Sequence, residues 1–537
     1  MPQLPYRPTL PTVLRRAALL FGDDDFVVLP DRRISFRQAE LASRRLAKEL
    51  LASGMGKGTR VGIHLPSGPE WAVAFLAVTR IGAIAMPFST LYRPSELRAA
   101  LRVGDASVLV SAPTLLGKDN EARLEQAVPE LAGSPAGRLR AHGAPYLRSI
   151  RLAGAGTRPW AEPFDIRTEG DGEETVDGVD ERLLRAVEDE VTPADPIVVV
   201  FTSGTTADPK AVVHGQGAVV RKTSPPADAA LNAIFGGRVL CLMPFFWIGG
   251  MQEVLAALQS GAAILTLERL DAAAGLELGR REGATSVMGN PQTMRSLLGG
   301  TELGSVIPTL RELPQRPWDG PPSSKGQIPN GIGMTETFGG WNSVCGFECR
   351  VVNPATGDVL GEGKVGEFHV RGYSLMQGLY KRERDEVFTA EGFYATGDLG
   401  YFEKGQFYFS ARLKDMIKTK GANVAPAEVE TVLNARPDVR VSFVVGLPHE
   451  SYGEEVVAGV VAEEGHTVDV AGLFTACRTA LSPFKVPTAI HVLAETDVPV
   501  LPSNKPDRRA VAALLAERQR LGPGPVAGGE GRPQEVP

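Results

Sequence analysis

The ten residues "FTSGTTADPK" at 201–210 set hydroxyls at Thr202, Ser203, Thr205 and Thr206 around Gly204, with Lys210 at the far end. Hydroxyl donors, a backbone free to turn its N–H groups outward and one ammonium are the parts of a phosphate cradle. A nucleotide-kinase P-loop needs two glycines flanking four residues ahead of Gly-Lys-Ser/Thr, and a helix directly after. Here Lys210 is followed by "AVVH", a strand-like run, so the P-loop reading fails. Taken alone, the stretch also fits an ordinary polar turn.

Four more stretches follow in order: "NGIGMTET" (330–337), "YATGDLG" (394–400), "ARLKDMIKTKG" (411–421) and "LPSNKPDRR" (501–509). With these five motifs the chain resembles the adenylate-forming superfamily of acyl-CoA synthetases, nonribosomal-peptide adenylation domains and luciferases, from about Thr12 to Leu521. The resemblance implies that a carboxylate attacks the α-phosphate of ATP and that the acyl-AMP then meets coenzyme A. Such chemistry needs charge neutralised on the triphosphate and on the departing pyrophosphate.

Each motif residue then carries an implied role. Thr202 to Lys210 hold phosphates, Thr335 bonds the α-phosphate, and Glu336 positions Mg²⁺, a hard cation that prefers oxygen ligands. Ile332 and Gly333 border the adenine, Asp398 takes the two ribose hydroxyls and Arg412 also reaches the ribose. Lys505 is the adenylation lysine, Lys414 the hinge, and Gly421 the turn that approaches the pantetheine arm. The small domain presents first Lys505 and then Gly421, so one site serves two half-reactions by domain alternation. The attacking thiol belongs to coenzyme A, and no protein cysteine is required.

Four departures from the family pattern bear on the first half-reaction. Alanines 207 and 211 stand where glycines are usual, at a cost of about 1–2 kcal/mol if either position is left-handed. Ile332 replaces an aromatic ring that stacks on adenine, a contact worth roughly 1–3 kcal/mol in base-binding sites. A proline-rich segment at 310–330 replaces a Gly-Gly-Ala-Pro-like stretch, and Trp247 replaces a histidine. The resulting expectation is a complete acyl-CoA ligase, with two alternatives: an enzyme working mainly on supplied acyl-AMP, and one loading a separate carrier protein. Trp247, Gly249, Gly289, Gly339 and Trp341 fall where relatives line the acyl pocket. Small residues there leave room for a bulky acid or simply pack tightly. The short adenine segment also resembles ligases of actinobacterial natural-product pathways, including one acting on diterpenoid acids in platensimycin biosynthesis.

The elements that must position these residues alternate helix and strand through the first two hundred positions. "SFRQAELASRRLAKELLASG" has apolar residues at helical spacing, "TRVGIHL" reads as a strand, "GPEWAVAFLAVTRIGA" as a helix and "IAMPFS" as a strand. Residues 111–193 lose this rhythm and read as surface connection without chemistry. From 357 to 412, short runs between Gly-containing turns predict antiparallel strands. The expected fold is α/β: an adenylate- and acyl-binding domain over 1–412, with two α/β sheets and a distorted β-barrel. A small mobile α+β domain follows over 413–521, then a disordered tail over 522–537.

The 537 residues carry 57 basic and 63 acidic side chains, a net charge of −6, with no run that reads as a nucleic-acid or membrane patch. Four cysteines, including Cys345 and Cys349, form neither a disulfide framework nor a zinc pattern and read as reduced thiols. The N-terminus "MPQLPYRPTLPTV" lacks the charged start and apolar run of a secretory leader, and no stretch is long enough to span a membrane, which predicts the cytoplasm. The implied partners are a small carboxylic acid, ATP or acyl-AMP, Mg²⁺ and coenzyme A. A homodimer and a separate adenylating enzyme are the protein partners this reading allows.

Overall fold

The computed structural model describes residues 3–154, 156–164, 175–202, 209–224, 237–289, 307–310, 333–340, 346–413, 417–424, 426–499 and 508–521. They fall into two compact units divided at Lys414.

The first unit is built on two sheets. In the larger, eight strands follow the order 378–379, 210–215, 196–202, 84–87, 60–63, 108–111, 149–153 and 161–164. From 196–202 to the 161–164 edge the strands run parallel, and 210–215 and 378–379 turn antiparallel at the other edge. The smaller sheet has five strands, 286–288, 238–241, 263–265, 25–28 and 33–35. Strands buried on both faces read as continuous apolar runs, as "PIVVVF" does.

The helix Pro69–Arg80 explains how the two sheets are joined. All of its residues except Glu70 are buried, and it shares one apolar cluster with Val27 and Ile34 of the smaller sheet and Val61, Ala85 and Ile197 of the larger. A helix apolar on every side belongs inside a core. The preceding helix Phe36–Ala52 is fixed at its start by a capping box, in which the Ser35 side chain accepts from Gln38 N, a feature worth about 1 kcal/mol.

At the end of Pro69–Arg80 the apolar rule breaks. Arg80 is fully buried and donates from Nε to Glu188 Oε1 at 2.7 Å, from Nη2 to Glu40 Oε1 at 3.0 Å and from Nη1 to Ser43 Oγ at 3.0 Å. Arg15 from the first helix also reaches Glu188. This ionic knot ties three helices and reaches into 111–193, the region expected to be mere connection. That expectation needs correction. Strands Ser149–Ala153 and Ala161–Phe164 extend the large sheet, Trp160 is fully buried, and Glu188 supplies the carboxylate for Arg80. The two strands, one of them at the sheet edge, are too short to show a period.

Where the sequence suggested a distorted barrel, the described strands 347–352, 366–372, 394–403 and 406–412 form a four-stranded antiparallel sheet. In the second unit, a five-stranded sheet is covered on both faces. Val444, Val456, Ala458 and Val460 pack with Val429, Leu433, Leu473 and Cys477, while Phe443, Val445, Val457 and Val461 pack with Val511 and Leu515 of the last helix. The alternation of neighbours between the two clusters is the period of two that a pleated strand imposes.

Candidate active site

Strands Pro196–Thr202 and Lys210–Gly215 pair antiparallel, with Thr202 opposite Lys210 and Phe201 opposite Ala211. Ala211 therefore sits in extended backbone, buried and absent from the described left-handed residues. The backbone penalty anticipated for an alanine there does not arise. Ser203, Gly204, Thr205, Thr206 and Ala207 lie outside the described residues, as do Ile332, the 311–330 segment, Trp341, Lys414 and Lys505.

Opposite the start of this strand stands a hairpin. Gly333 pairs with Gly340 and Met334 with Gly339, and between them Thr335–Thr337 makes one 3₁₀ turn. Phe338 closes it at φ 53°, ψ 52°, a left-handed conformation uncommon for a bulky residue and a mark of local strain. Gly339 follows at φ 100°, where an added Cβ would lie 2.5 Å from Gln252 Oε1. The turn holds Glu336 only 8% exposed. Its backbone carbonyl accepts from Met376 N at 2.8 Å. Its carboxylate accepts from the Tyr394 hydroxyl at 3.1 Å, and Lys210 Nζ stands 3.9 Å away. Burial and the Glu336 carboxylate raise the Tyr394 phenol well above its ordinary range, so it remains a donor.

Tyr394 opens the strand that carries Asp398, which is 3% exposed and registers opposite Arg412. The Arg412 side chain lies outside the described residues. The Thr396–Asp398 turn is held by Thr396 Oγ1 donating to Phe368 O at 2.8 Å, Gly397 N donating to Glu367 Oε1 at 2.8 Å and Asp398 N donating to Thr396 Oγ1 at 3.1 Å. Lys210, Glu336 and the pair Tyr394 and Asp398 thus come from three motifs into one cluster within the first unit.

Among the described residues no group of three or more His, Cys, Asp or Glu is placed to cage a metal. A single buried carboxylate fits Mg²⁺ of the kind that arrives on phosphate oxygens and keeps most of its waters. Trp247 caps the helix Ile248–Ser260 and is half-buried, with its ring edge-on to Phe246 at 5.8 Å. A Cβ on Gly249 would meet Met243 Sδ at 2.7 Å and one on Gly250 would meet Pro244 O at 2.2 Å, so close packing already uses the space these glycines leave. Gly289, half-buried, follows the strand Ser286–Met288.

Two residues outside the quoted motifs hold the site. His214, fully buried, donates through Nε2 to Thr335 O at 2.7 Å and sets its ring edge-on against Phe338 at 5.0 Å. Burial pulls its pKa down to about 4, so it is neutral at pH 7. Lys222, fully buried at the end of helix Gln216–Lys222, donates from Nζ to Gly340 O at 2.6 Å.

In the second unit, Lys420 (φ 51°) and Gly421 (φ 75°) form the two-residue turn between strands Ile417–Thr419 and Ala422–Val424. Two left-handed residues are what a tight hairpin with right-twisted strands requires. The Lys420 ammonium lies 4.5 Å from the Tyr452 ring centroid, and that ring stacks on His449 at 4.2 Å.

The described residues form two compact units, the first of which gathers Lys210 and Tyr394 around the buried Glu336 carboxylate. The chain belongs to the AMP-binding enzyme family, whose model matches residues 14–380, with the family's C-terminal domain matching 428–505. A Mycobacterium tuberculosis 3-[(3aS,4S,7aS)-7a-methyl-1,5-dioxo-octahydro-1H-inden-4-yl]propanoyl:CoA ligase is 30% identical, over 92% of this chain and 96% of its own. Sulfoacetate–CoA ligase of Cupriavidus necator is 27% identical, over 93% and 96%. Among solved structures, the amide bond synthetase McbA from Marinactinospora thermotolerans superposes with a TM-score of 0.72 at 24% identity, covering 94% of this chain and 99% of that one. That last likeness concerns the fold. Among the described residues no helix is long and apolar enough to cross a membrane.

Proposed function

We propose that the protein is an AMP-forming acyl-CoA ligase that joins a carboxylic acid to coenzyme A in two steps, in the cytoplasm. In the first, a carboxylate oxygen attacks the α-phosphorus of ATP, the bond to the bridging oxygen breaks, and pyrophosphate leaves. In the second, the coenzyme A sulfur attacks the acyl carbon and AMP leaves. The observation that supports this most is the convergence of Lys210, Glu336 and Tyr394 beside Asp398, within a chain of the AMP-binding family.

The roles follow from chemistry. Thr202 and Lys210, with residues 203–206, draw charge from the phosphates. Thr335 bonds the α-phosphate, and Glu336, oriented by Tyr394, takes the Mg²⁺ that neutralises the triphosphate when bound. Ile332 and Gly333 border the adenine, and Asp398 with Arg412 holds the ribose. Lys505 serves adenylation and Gly421 the thiol step, exchanged by rotation about Lys414. Trp247, Gly289, Gly339 and Trp341 belong to the acyl side. Extended backbone at Ala211 removes one of the grounds for a weakened adenylation half, which favours the complete two-step enzyme. The substrate class is a bulky, largely apolar acid, a reading supported by the bicyclic acid named for the mycobacterial relative.

The test is ATP–pyrophosphate exchange and thioester formation with a panel of aliphatic, aromatic, sulfonated, bicyclic and diterpenoid acids. Acid-dependent exchange together with a CoA thioester supports the proposal. Thioester from synthetic acyl-AMP without exchange leaves only the transfer half, and exchange with thioester formed only on a carrier protein reassigns the acceptor.

A further inference from the structure

The hairpin that carries Thr335 and Glu336 has only two residues in each strand, and its turn is strained at Phe338. So small a hairpin is not stable by itself in water. Besides Met376 N on the Glu336 carbonyl, two buried side chains secure its backbone from outside. His214 Nε2 donates to Thr335 O at 2.7 Å, just before Glu336, and Lys222 Nζ donates to Gly340 O at 2.6 Å, at the last residue of the hairpin. Both donors stand on one continuous piece of chain, the strand Lys210–Gly215 and the helix Gln216–Lys222 that follows it. That piece begins with Lys210, whose ammonium faces Glu336.

Lys222 is an expensive residue for a purely structural task. Its side chain is fully buried, and among the described residues its polar contacts are the Gly340 carbonyl and, at 5.8 Å, the face of the Phe347 ring. No described carboxylate pairs with it. A buried ammonium without a carboxylate partner weakens a fold compared with an apolar side chain of the same shape, so stability alone does not account for it.

We propose that Lys222 and His214 are positioning residues for the first half-reaction: they lock the Gly333–Gly340 hairpin to the strand that begins at Lys210, so that Glu336 and Lys210 present a fixed carboxylate and ammonium to MgATP. This rests on the ligase reading above. Without the two locks the hairpin relaxes about Phe338 and Glu336 loses its place, while the folded unit persists.

The experiment is calorimetric titration of the full chain with MgATP, beside thermal unfolding without ligand, for wild type, Lys222→Met, Lys222→Arg and His214→Phe. Lys222→Met removes the donor and the buried charge together. We expect MgATP binding to weaken about tenfold with the melting temperature unchanged or raised. Lys222→Arg retains a donor and recovers most of the affinity. His214→Phe keeps a ring against Phe338, loses the donor to Thr335 O, and weakens MgATP in the same way. Wild-type affinity in Lys222→Met, or a loss of affinity that tracks a lower melting temperature, overturns the proposal. If Lys222→Met does not fold, His214→Phe carries the test alone, and failure of both to fold assigns the pair to stability and overturns it. Wild type that does not bind MgATP overturns the ligase reading instead.

Discussion

Tyr394 donates its hydroxyl to Glu336 Oε1 across 3.1 Å, joining two motifs 58 residues apart around one buried carboxylate. A hydrogen bond to a charged group contributes about 1.5 kcal/mol or more, and here it ties the Glu336 carboxylate to the strand that carries Asp398.

Tyr394→Phe is therefore expected to lower ATP–pyrophosphate exchange by roughly tenfold. The phenol stays protonated throughout the working pH range, because burial and the Glu336 carboxylate raise its pKa. The pH profile of the variant should parallel that of wild type. A new break in the profile, or unchanged exchange, would remove Tyr394 from the site.

Gly421 adopts φ 75° beside Lys420 at 51°, and alanine there costs about 1–2 kcal/mol. Gly421→Ala should slow thioester formation from acyl-AMP while pyrophosphate exchange stays within about twofold, an uncoupling of half-reactions that fits the alternation mechanism. Equal losses in both assays would make the turn a matter of stability.

The motifs that were legible in the sequence are those whose chemistry is local. Lys210, Thr335, Glu336 and the Thr-Gly-Asp turn each announce themselves by glycines and hydroxyls within a few positions. Their supports do not. His214 reaches Thr335 across 121 residues and Lys222 reaches Gly340 across 118, and nothing in "AVVHGQGAVVRK" distinguishes such donors from a solvated strand and helix. Tyr394 and Glu336 were both in plain view inside quoted motifs, but nothing in the sequence showed that they pair. The long helices and hydrophobic strands showed themselves by period, whereas Ser149–Ala153 and Ala161–Phe164 are too short to show one. Ala211 teaches the reverse lesson: a family glycine position looked costly until its backbone proved extended.

Arg80 lies between Glu40 and Glu188 with all three side chains buried. Arg80→Met removes the buried cation that Glu40 and Glu188 share, leaving Glu40 with Arg44 and Glu188 with Arg15, and should destabilise the first unit by about 3 kcal/mol in denaturant unfolding. Replacing all three residues with apolar ones of similar volume should recover most of that loss. Failure to recover would show that the knot specifies the packing of these helices rather than merely satisfying itself.

Two buried histidines set the acid side of the stability curve. Burial lowers His214 to about 4 and His64 to about 3, with Arg123 adding to the latter. The unfolded chain binds protons to both near 6.5, so stability is full above that pH and falls as the pH drops toward the folded values. Glu40 adds a separate loss at lower pH: burial pushes its pKa up, but Arg80 and Arg44 outweigh burial and hold it below the usual carboxylate range. Unfolding free energy measured at pH 7 and pH 5 should drop less in His64→Leu than in wild type. An identical drop would mean that His64 does not titrate on unfolding.

Thr202 pairs with Lys210 across two antiparallel strands, and among the described residues the next helix starts only at Gln216. A P-loop aims the positive end of a helix dipole at its phosphates, an attraction built into the backbone that no rotamer can withdraw. Among the described residues no helix begins directly after Lys210. The charge that Lys210 offers is carried on a flexible side chain and is screened by salt. Its grip on polyphosphate should therefore weaken with ionic strength and let pyrophosphate go readily, as a reaction that must discard pyrophosphate before the thiol arrives requires.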